Sequence, residues 1–335
     1  MTQNSMARTI VLALSLSFFF SVSALQANLI NNPTTMDYLL VGRGSDNDAV
    51  AVQVGSSNTL GRMFNVPSSS DPDVDDSPPN PIPANGSVPP ANVTTNDGNV
   101  AVTNSSGVYN FQDINIHADI GIRCENGAGA RCEDGFSNST VHLGNIANDA
   151  AGMAAIEAEL DAAHTLLSGK SETGAWSVSG DGFKNGSNQW EIPSGLVDTN
   201  TTITLGPGEN VIVIDTENND FSLNNAGLVI DGPVGSSVVF LMEDQSQNFL
   251  YTNASVTLGT GGVKDNAVLF AMLNGGNDSN FNFSKFIGNG VAYWDLSEDG
   301  GEITMNNVQA CGQWVGDHLN FNDVQLIRCA HGVPE

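Results

Sequence analysis

From Val178 to Cys329 the chain is a succession of short β runs, each broken after a few residues by Gly, Asn or Asp. The runs fall at 201–205, 211–214, 228–230, 238–242, 267–272, 291–296, 303–305, 308–315 and 324–327. Strands this short and this closely spaced build a sandwich, a barrel or a β-solenoid. Three features favour the solenoid. The turns are dominated by asparagine (Asn224-Asn225, Asn306-Asn307, Asn320 to Asn322), which tolerates left-handed backbone and can ladder between coils. The apolar runs are small and β-branched. Asn306-Asn307-Val308-Gln309 also recurs, loosely, as Asn322-Asp323-Val324-Gln325, close to one coil later.

A single helix interrupts this pattern. Met153, Ile156, Leu160, Ala163 and Leu167 follow helical spacing, which predicts a helix over 148–168. Asn148 is the expected cap, Asp149 falls in the first turn, and Gly169-Lys170 closes the end. His164 lies beside the apolar stripe and reads as a packed structural histidine. Upstream, Tyr38 to Val41 and Ala49 to Val54 flank a Gly/Asp-rich turn and read as a β-hairpin. Residues 67–92 hold eight of the 13 prolines and read as an exposed Pro/Asp-rich loop. The expected organisation is therefore 1–27 as a signal peptide, 28–66 as N-terminal strands, 67–92 as the loop, and 93–330 as the β-solenoid-like domain with its helix.

The first 27 residues carry Arg8, an apolar run from Ile10 to Ala24, and small residues before plausible cuts after Ala24 or Ala27. That is the pattern of a secretory signal, and the run is short for a membrane span. Export fits the cysteines. Cys124, Cys132, Cys311 and Cys329 make an even count at spacings that suit no zinc site, so they read as two structural disulfides. Proximity favours Cys124 with Cys132 and Cys311 with Cys329.

Charge narrows the partners. With 37 Asp+Glu against 10 Lys+Arg the net charge is −27, which argues against nucleic acid and against anionic lipid. The residues 225–240 (Asn-Ala-Gly-Leu-Val-Ile-Asp-Gly-Pro-Val-Gly-Ser-Ser-Val-Val-Phe), 254–259, 290–296, 301–303 and 306–312 resemble the choice-of-anchor A domain of secreted bacterial surface proteins. The same order of strands, insert, helix and Gly/Asn-rich coils is similar, more distantly, to bacterial ice-binding proteins. The resemblance spans roughly 36–329 and implies an irregular right-handed β-solenoid with one long flanking helix. It carries no catalytic residue to transfer. Val333-Pro334-Glu335 resembles the opening of a Val-Pro-Glu-Pro sorting signal.

No nucleophile–base pair, zinc signature or phosphate loop stands out, so the expectation is a non-catalytic secreted or cell-surface protein in a matrix or adhesive role, its partner an extracellular polysaccharide or surface protein. Ice binding is one alternative, though Thr199, Thr201, Thr202, Thr204, Thr257 and Thr260 form only local clusters. A polysaccharide-active enzyme is the other, using the carboxylates Asp295, Glu298, Asp299 and Glu302. No cofactor is expected. Calcium is compatible, with Asp215, Glu217, Asn219 and Asp220 as the weak candidate ligands; Asp71 to Asp76 lacks the glycine and closing glutamate of an EF-hand loop. Scattered sequons (Asn104, Asn138, Asn253) complete the surface features. Thiol titration of the denatured, non-reduced protein should find no free cysteine; two or more would refute the disulfide reading.

Overall fold

The computed structural model describes residues 35–44, 50–54, 58–63, 93–103, 108–125, 136–242, 247–265, 267–273, 280–297 and 301–328. The signal segment, the Pro-rich loop, Cys132 and Cys329 lie outside the described residues.

The β runs wind into coils with three sides, and each side is a ladder of strands paired in parallel. Side A runs from Gly208–Asp215 through Ser236–Met242 and Val268–Met272 to the later parts of Asn280–Asp295 and Glu302–Gly316. Side B runs from Phe221–Asn224 through the first halves of Phe249–Leu258, Asn280–Asp295 and Glu302–Gly316 to His318–Ile327. Side C carries Thr201–Leu205, Gly227–Asp231 and the middle or later parts of the same long strands. This is a β-solenoid, as the spacing of the runs implied.

The stacking order departs from chain order. Leu40–Gly42 and Val50–Val54 do not pair with each other, so the expected hairpin is absent. The first pairs in parallel with 314–316 and 100–102, and the second with 319–321 and 108–111. Asn58–Leu60 likewise lies between 325–326 and 114–116. The N-terminal strands are thus successive sides of one coil, inserted between the C-terminal coil and the coil of residues 100–116. A Gly/Asp-rich break between apolar runs looks the same whether the chain reverses or turns a corner. Gln313 fastens this junction, its Nε2 donating to the carbonyls of Thr35 and Tyr38 at 2.9 Å each.

Inside, side chains of adjacent coils stack. Phe249 lies 4.8 Å from Phe281 and Tyr251 4.7 Å from Phe283, each pair within 5° of parallel. Phe240, Phe270 and Tyr293 continue the pattern at 4.4 and 5.5 Å. These separations follow from the strand spacing of about 4.7–4.9 Å in a parallel ladder. Burial without a hydrogen-bond partner pushes the Tyr251 and Tyr293 hydroxyls well above the usual phenol pKa.

The helix α1, Ala150–Ser168, lies along side A. Asp149, rather than Asn148, caps it: the Asp149 carboxylate accepts the Gly152 N–H at 3.0 Å. Met153, Ile156, Leu160, Ala163 and Leu167 are buried against the outward side chains of side A, among them Val211, Val239, Leu269, Trp294, Val315 and Val41. His164 is a half-buried structural residue whose Nε2 meets the Leu273 carbonyl at 3.0 Å. Arg43 ties the N-terminal coil to the helix through Glu157 at 3.0 Å. Leu160→Ala should cost about 2–5 kcal/mol by leaving a cavity between helix and sheet, with Leu160→Asp worse. Urea denaturation reads this directly, and an unshifted midpoint would contradict the packing.

Candidate functional site

One side is covered by the helix and a second is covered in part. The helix covers side A. On side C, Val229, Ser255, Thr257, Ile287 and Thr59 are buried although they lie on the outward positions of their strands, and Cys311 and Ile327 pack under Met63 and Val93 of an antiparallel pair. Side B is open. Two ranks of its outward side chains run along the middle of the face, every described member exposed or half-exposed, and Asn280, Glu302 and His318 form a further, half-exposed line at the border with side A.

The first rank is Leu196, Ser222, Leu250, Asn282, Thr304, Asn320, Gln53 and Asn110. The second is Asn224, Thr252, Ser284, Asn306 and Asn322, continued past the N-terminal coil by Gln112. Apart from Leu196 and Leu250, all are Ser, Thr, Asn or Gln, and none is charged, in a chain of net charge −27. The ranks flank inward columns that include Tyr251, Phe283, Met305 and Phe321, so packing in the core fixes the pitch of the surface. Along the axis the repeat is about 4.7–4.9 Å, and between ranks two residues of strand span about 6.6 Å.

Both borders of side B are built by asparagine chemistry. On the border with side C, one residue per coil adopts left-handed backbone: Asn225 (φ 51), Asn253 (φ 49), Lys285 (φ 52), Asn307 (φ 57), Asp323 (φ 54), Asp113 (φ 53) and Asn138 (φ 48). Asn and Asp tolerate this region because their short side chains bond locally. Asn253 Nδ2 also donates to Asn225 Oδ1 at 2.7 Å, which engages one of the sequon asparagines. On the border with side A a relay runs upward. Asp220 Oδ1 accepts the Asn248 N–H at 2.9 Å, Asn248 Oδ1 accepts the Asn280 N–H at 2.8 Å, and Asn280 Oδ1 accepts the Glu302 N–H at 3.0 Å. Each side chain thus satisfies a backbone donor where the ladder breaks to turn.

The residues singled out as calcium ligands serve the same end. Asp215 Oδ1 accepts the Glu217 N–H at 3.0 Å, Asn219 Nδ2 donates to the Pro193 and Thr216 carbonyls, and Asp220 feeds the relay. Glu217 is exposed at φ 49. Among the described residues no three His, Cys, Asp or Glu side chains converge on a point where a metal could sit. The candidate carboxylates do not converge either. Asp295 is buried, Glu302 stands in the border relay holding Asn320 at 3.2 Å, and Glu298 and Asp299 lie outside the described residues. Cys124 and Cys311 are both disulfide-bonded; their expected partners, Cys132 and Cys329, lie outside the described residues. No described helix is long and apolar enough to cross a membrane.

The open face was missed from sequence because its members recur at unequal intervals. Successive coils place equivalent residues 28, 32, 22 and 16 positions apart. Only the last interval is the recurrence seen between Asn306 and Asn322.

No family model matches the sequence, so the choice-of-anchor A resemblance rests on the quoted residues alone. No curated protein matches it either. Among solved structures, the chain is similar to an ice-binding protein from an Arctic yeast, at 11% identity and a TM-score of 0.42 over 91% of this chain and 96% of that one. It is also similar to an ice-binding protein from an Antarctic Flavobacteriaceae bacterium, at 11% identity and 0.41 over 90% of this chain and 48% of that one. A third, from an Antarctic biological consortium, gives 14% identity and 0.36 over 85% and 89%. Scores at this level set the chain beside those proteins without assigning it their ligand.

Asp295 supplies a test of the site's chemistry. Burial raises its pKa to about 6; the Ser297 hydrogen bonds oppose this, Asp317 adds to it and Arg43 opposes it. Its Oδ1 accepts from Ser297 N–H at 3.1 Å, while Oδ2 has no hydrogen-bond partner among the described residues and a Cβ on Gly301 would fall 1.7 Å from it. A carboxyl whose folded pKa lies above its unfolded value stabilises the fold below pH 4 and loses that contribution as pH rises through 6. Asp295→Asn, which mimics the protonated acid, should therefore raise stability at pH 8 by about 2–3 kcal/mol and flatten the decline between pH 4 and 7. Denaturation midpoints across that range check it. A catalytic carboxylate would instead announce itself by turnover lost in the variant.

Proposed function

We propose that this chain is a non-catalytic exported protein that binds ice through side B of its solenoid. The observation that carries this reading is the pair of uncharged, open, axially regular ranks on a face whose borders and core are fixed by hydrogen bonds and stacked rings. Ice is a flat, neutral, periodic array of hydrogen-bond donors and acceptors. A matching receptor must be flat, neutral and periodic, and its side chains must be short, so that little freedom is lost on contact. Hydroxyl and amide groups held at strand spacing meet these demands and can engage lattice waters directly or through ordered first-shell water. Charged side chains would hold their own hydration shells against the lattice, and the two ranks exclude them.

The matrix or adhesive reading would use the same face, since amides and hydroxyls also bond sugars. Sugar-binding faces, however, gain much of their contact from exposed aromatic rings, and the aromatic side chains described on side B, including Phe111, Phe221, Phe249, Tyr251, Phe281, Phe283 and Phe321, point inward and are buried. That observation favours ice over polysaccharide as the ligand.

The test is thermal hysteresis, together with inhibition of ice recrystallisation, on the purified protein. Thr252→Lys and Asn306→Lys place a charge on exposed positions of the second rank and should remove most of the activity without moving the melting temperature. Asn115→Lys, exposed on side C, should leave it intact. Absence of ice activity in the unmodified protein, with retention on an insoluble polysaccharide that the same two changes abolish, would hand the face to the matrix reading.

A further inference from the structure

We propose that the open end of the solenoid, carried by the strand Thr140–Asn148, is the contact surface between two copies of this chain. The two ends of the stack are finished differently. At one end the strands Trp176–Ser179 and Phe183–Lys184 turn back in antiparallel pairing, Trp190 is buried beneath them, and the Lys184 ammonium sits 4.6 Å over the Trp176 ring. At the other end Thr140–Asn148 pairs on one side only, in parallel with Ile114–Cys124. Among the described residues nothing pairs with its outer edge. Its inward side chains Val141 and Ile146 pack on the core but remain half-exposed, and Leu143 is 78% exposed.

A stack of coils needs a polar cap at each end, and an uncovered strand edge is normally protected by charge or proline. This edge has a bulge but neither charge nor proline. From Phe136 to Asn148 the sequence contains no Asp, Glu, Lys, Arg or Pro. Residues 125–135, which precede it in the chain, read Glu-Asn-Gly-Ala-Gly-Ala-Arg-Cys-Glu-Asp-Gly, with no apolar residue larger than cysteine.

The occupant follows from charge. Two copies of a chain with net charge −27 repel each other over most of their surface. A neutral, apolar strand edge is where they can approach at least cost. A strand is self-complementary when its copy runs antiparallel about a two-fold axis, each making the same contacts. The bulge between Leu143 and Asn145 divides the edge into two straight segments, 140–143 and 145–148. The first, Thr-Val-His-Leu, presents the exposed Leu143, and pairing it with its copy covers the Val141 end of the core as well.

Sedimentation velocity of the exported protein over a concentration series tests this without reference to ice. A concentration-dependent dimer is expected. Leu143→Lys and Thr140→Glu, both at exposed positions, should each shift it to monomer with an unchanged melting temperature, whereas Thr252→Lys on side B should leave it dimeric. A protein that stays monomeric at every concentration, a dimer that survives both edge changes, or one that Thr252→Lys dissolves would each overturn the proposal. Absence of ice activity in the unmodified protein, with the dimer present, would count against the ice reading alone.

Discussion

A parallel ladder between coils fixes how far apart successive strands lie, but it leaves the corners to decide the shape of the cross-section. Here the deciding corner is the column of left-handed residues between sides B and C. Because the same backbone geometry recurs at Asn225, Asn253, Lys285, Asn307 and Asp323, each coil turns at the same place and by the same amount. The strands on either side then stay in register, and the side chains of side B fall into straight ranks. A change of corner geometry in one coil would shift every outward residue after it to the opposite face. The asparagines that dominate the turns therefore serve flatness as much as local pairing.

Coil lengths are free to vary once the corners are fixed. Insertions can be accommodated between strands, and equivalent residues are separated by as few as 16 and as many as 32 positions. This explains what the sequence did and did not disclose. The strands were legible because each is a local apolar run, the helix because its buried stripe has a strict period, and the asparagine ladders because left-handed turns demand that side chain. The stacking order was not legible. Val52 pairs with Leu319 and Leu40 with Trp314, contacts across most of the chain that no local pattern encodes. The open face was hidden for the same reason: Thr252, Ser284 and Asn306 become neighbours only after coils of unequal length are laid on one another.

Inserting the N-terminal strands between the C-terminal coil and the 100–116 coil also has an energetic meaning. The middle of the stack is closed by chain segments that are distant in sequence, so its formation carries a large loop-closure entropy. The contacts made there are correspondingly polar and specific: Gln313 to two carbonyls, Asn58 Oδ1 to the Val324 N–H at 2.9 Å, and Arg43 to the helix. Helix α1 spans the same junction, resting on Val41 from the N-terminal coil and on Val315 from the C-terminal one. It acts as a splint across the one place where the stack is not continuous in sequence.

The distribution of charge then follows from which surfaces must meet something. A net charge of −27 keeps copies of the chain dispersed and would weaken contact between them. The carboxylates are placed accordingly. Glu157, Glu159 and Asp161 lie on the helix, Asp215 and Glu217 in a turn, and Asp220 and Glu302 along a border where they hold backbone amides or side-chain amides. The two ranks of side B and the strand Thr140–Asn148 are left without charge. One is flat, hydrogen-bonding and periodic, and the other is a short apolar edge at the end of the stack. Under the two proposals, an extended array calls for many equivalent weak contacts, and a copy of the chain for few contacts related by symmetry. The same coil geometry yields both, the first along its side and the second at its end.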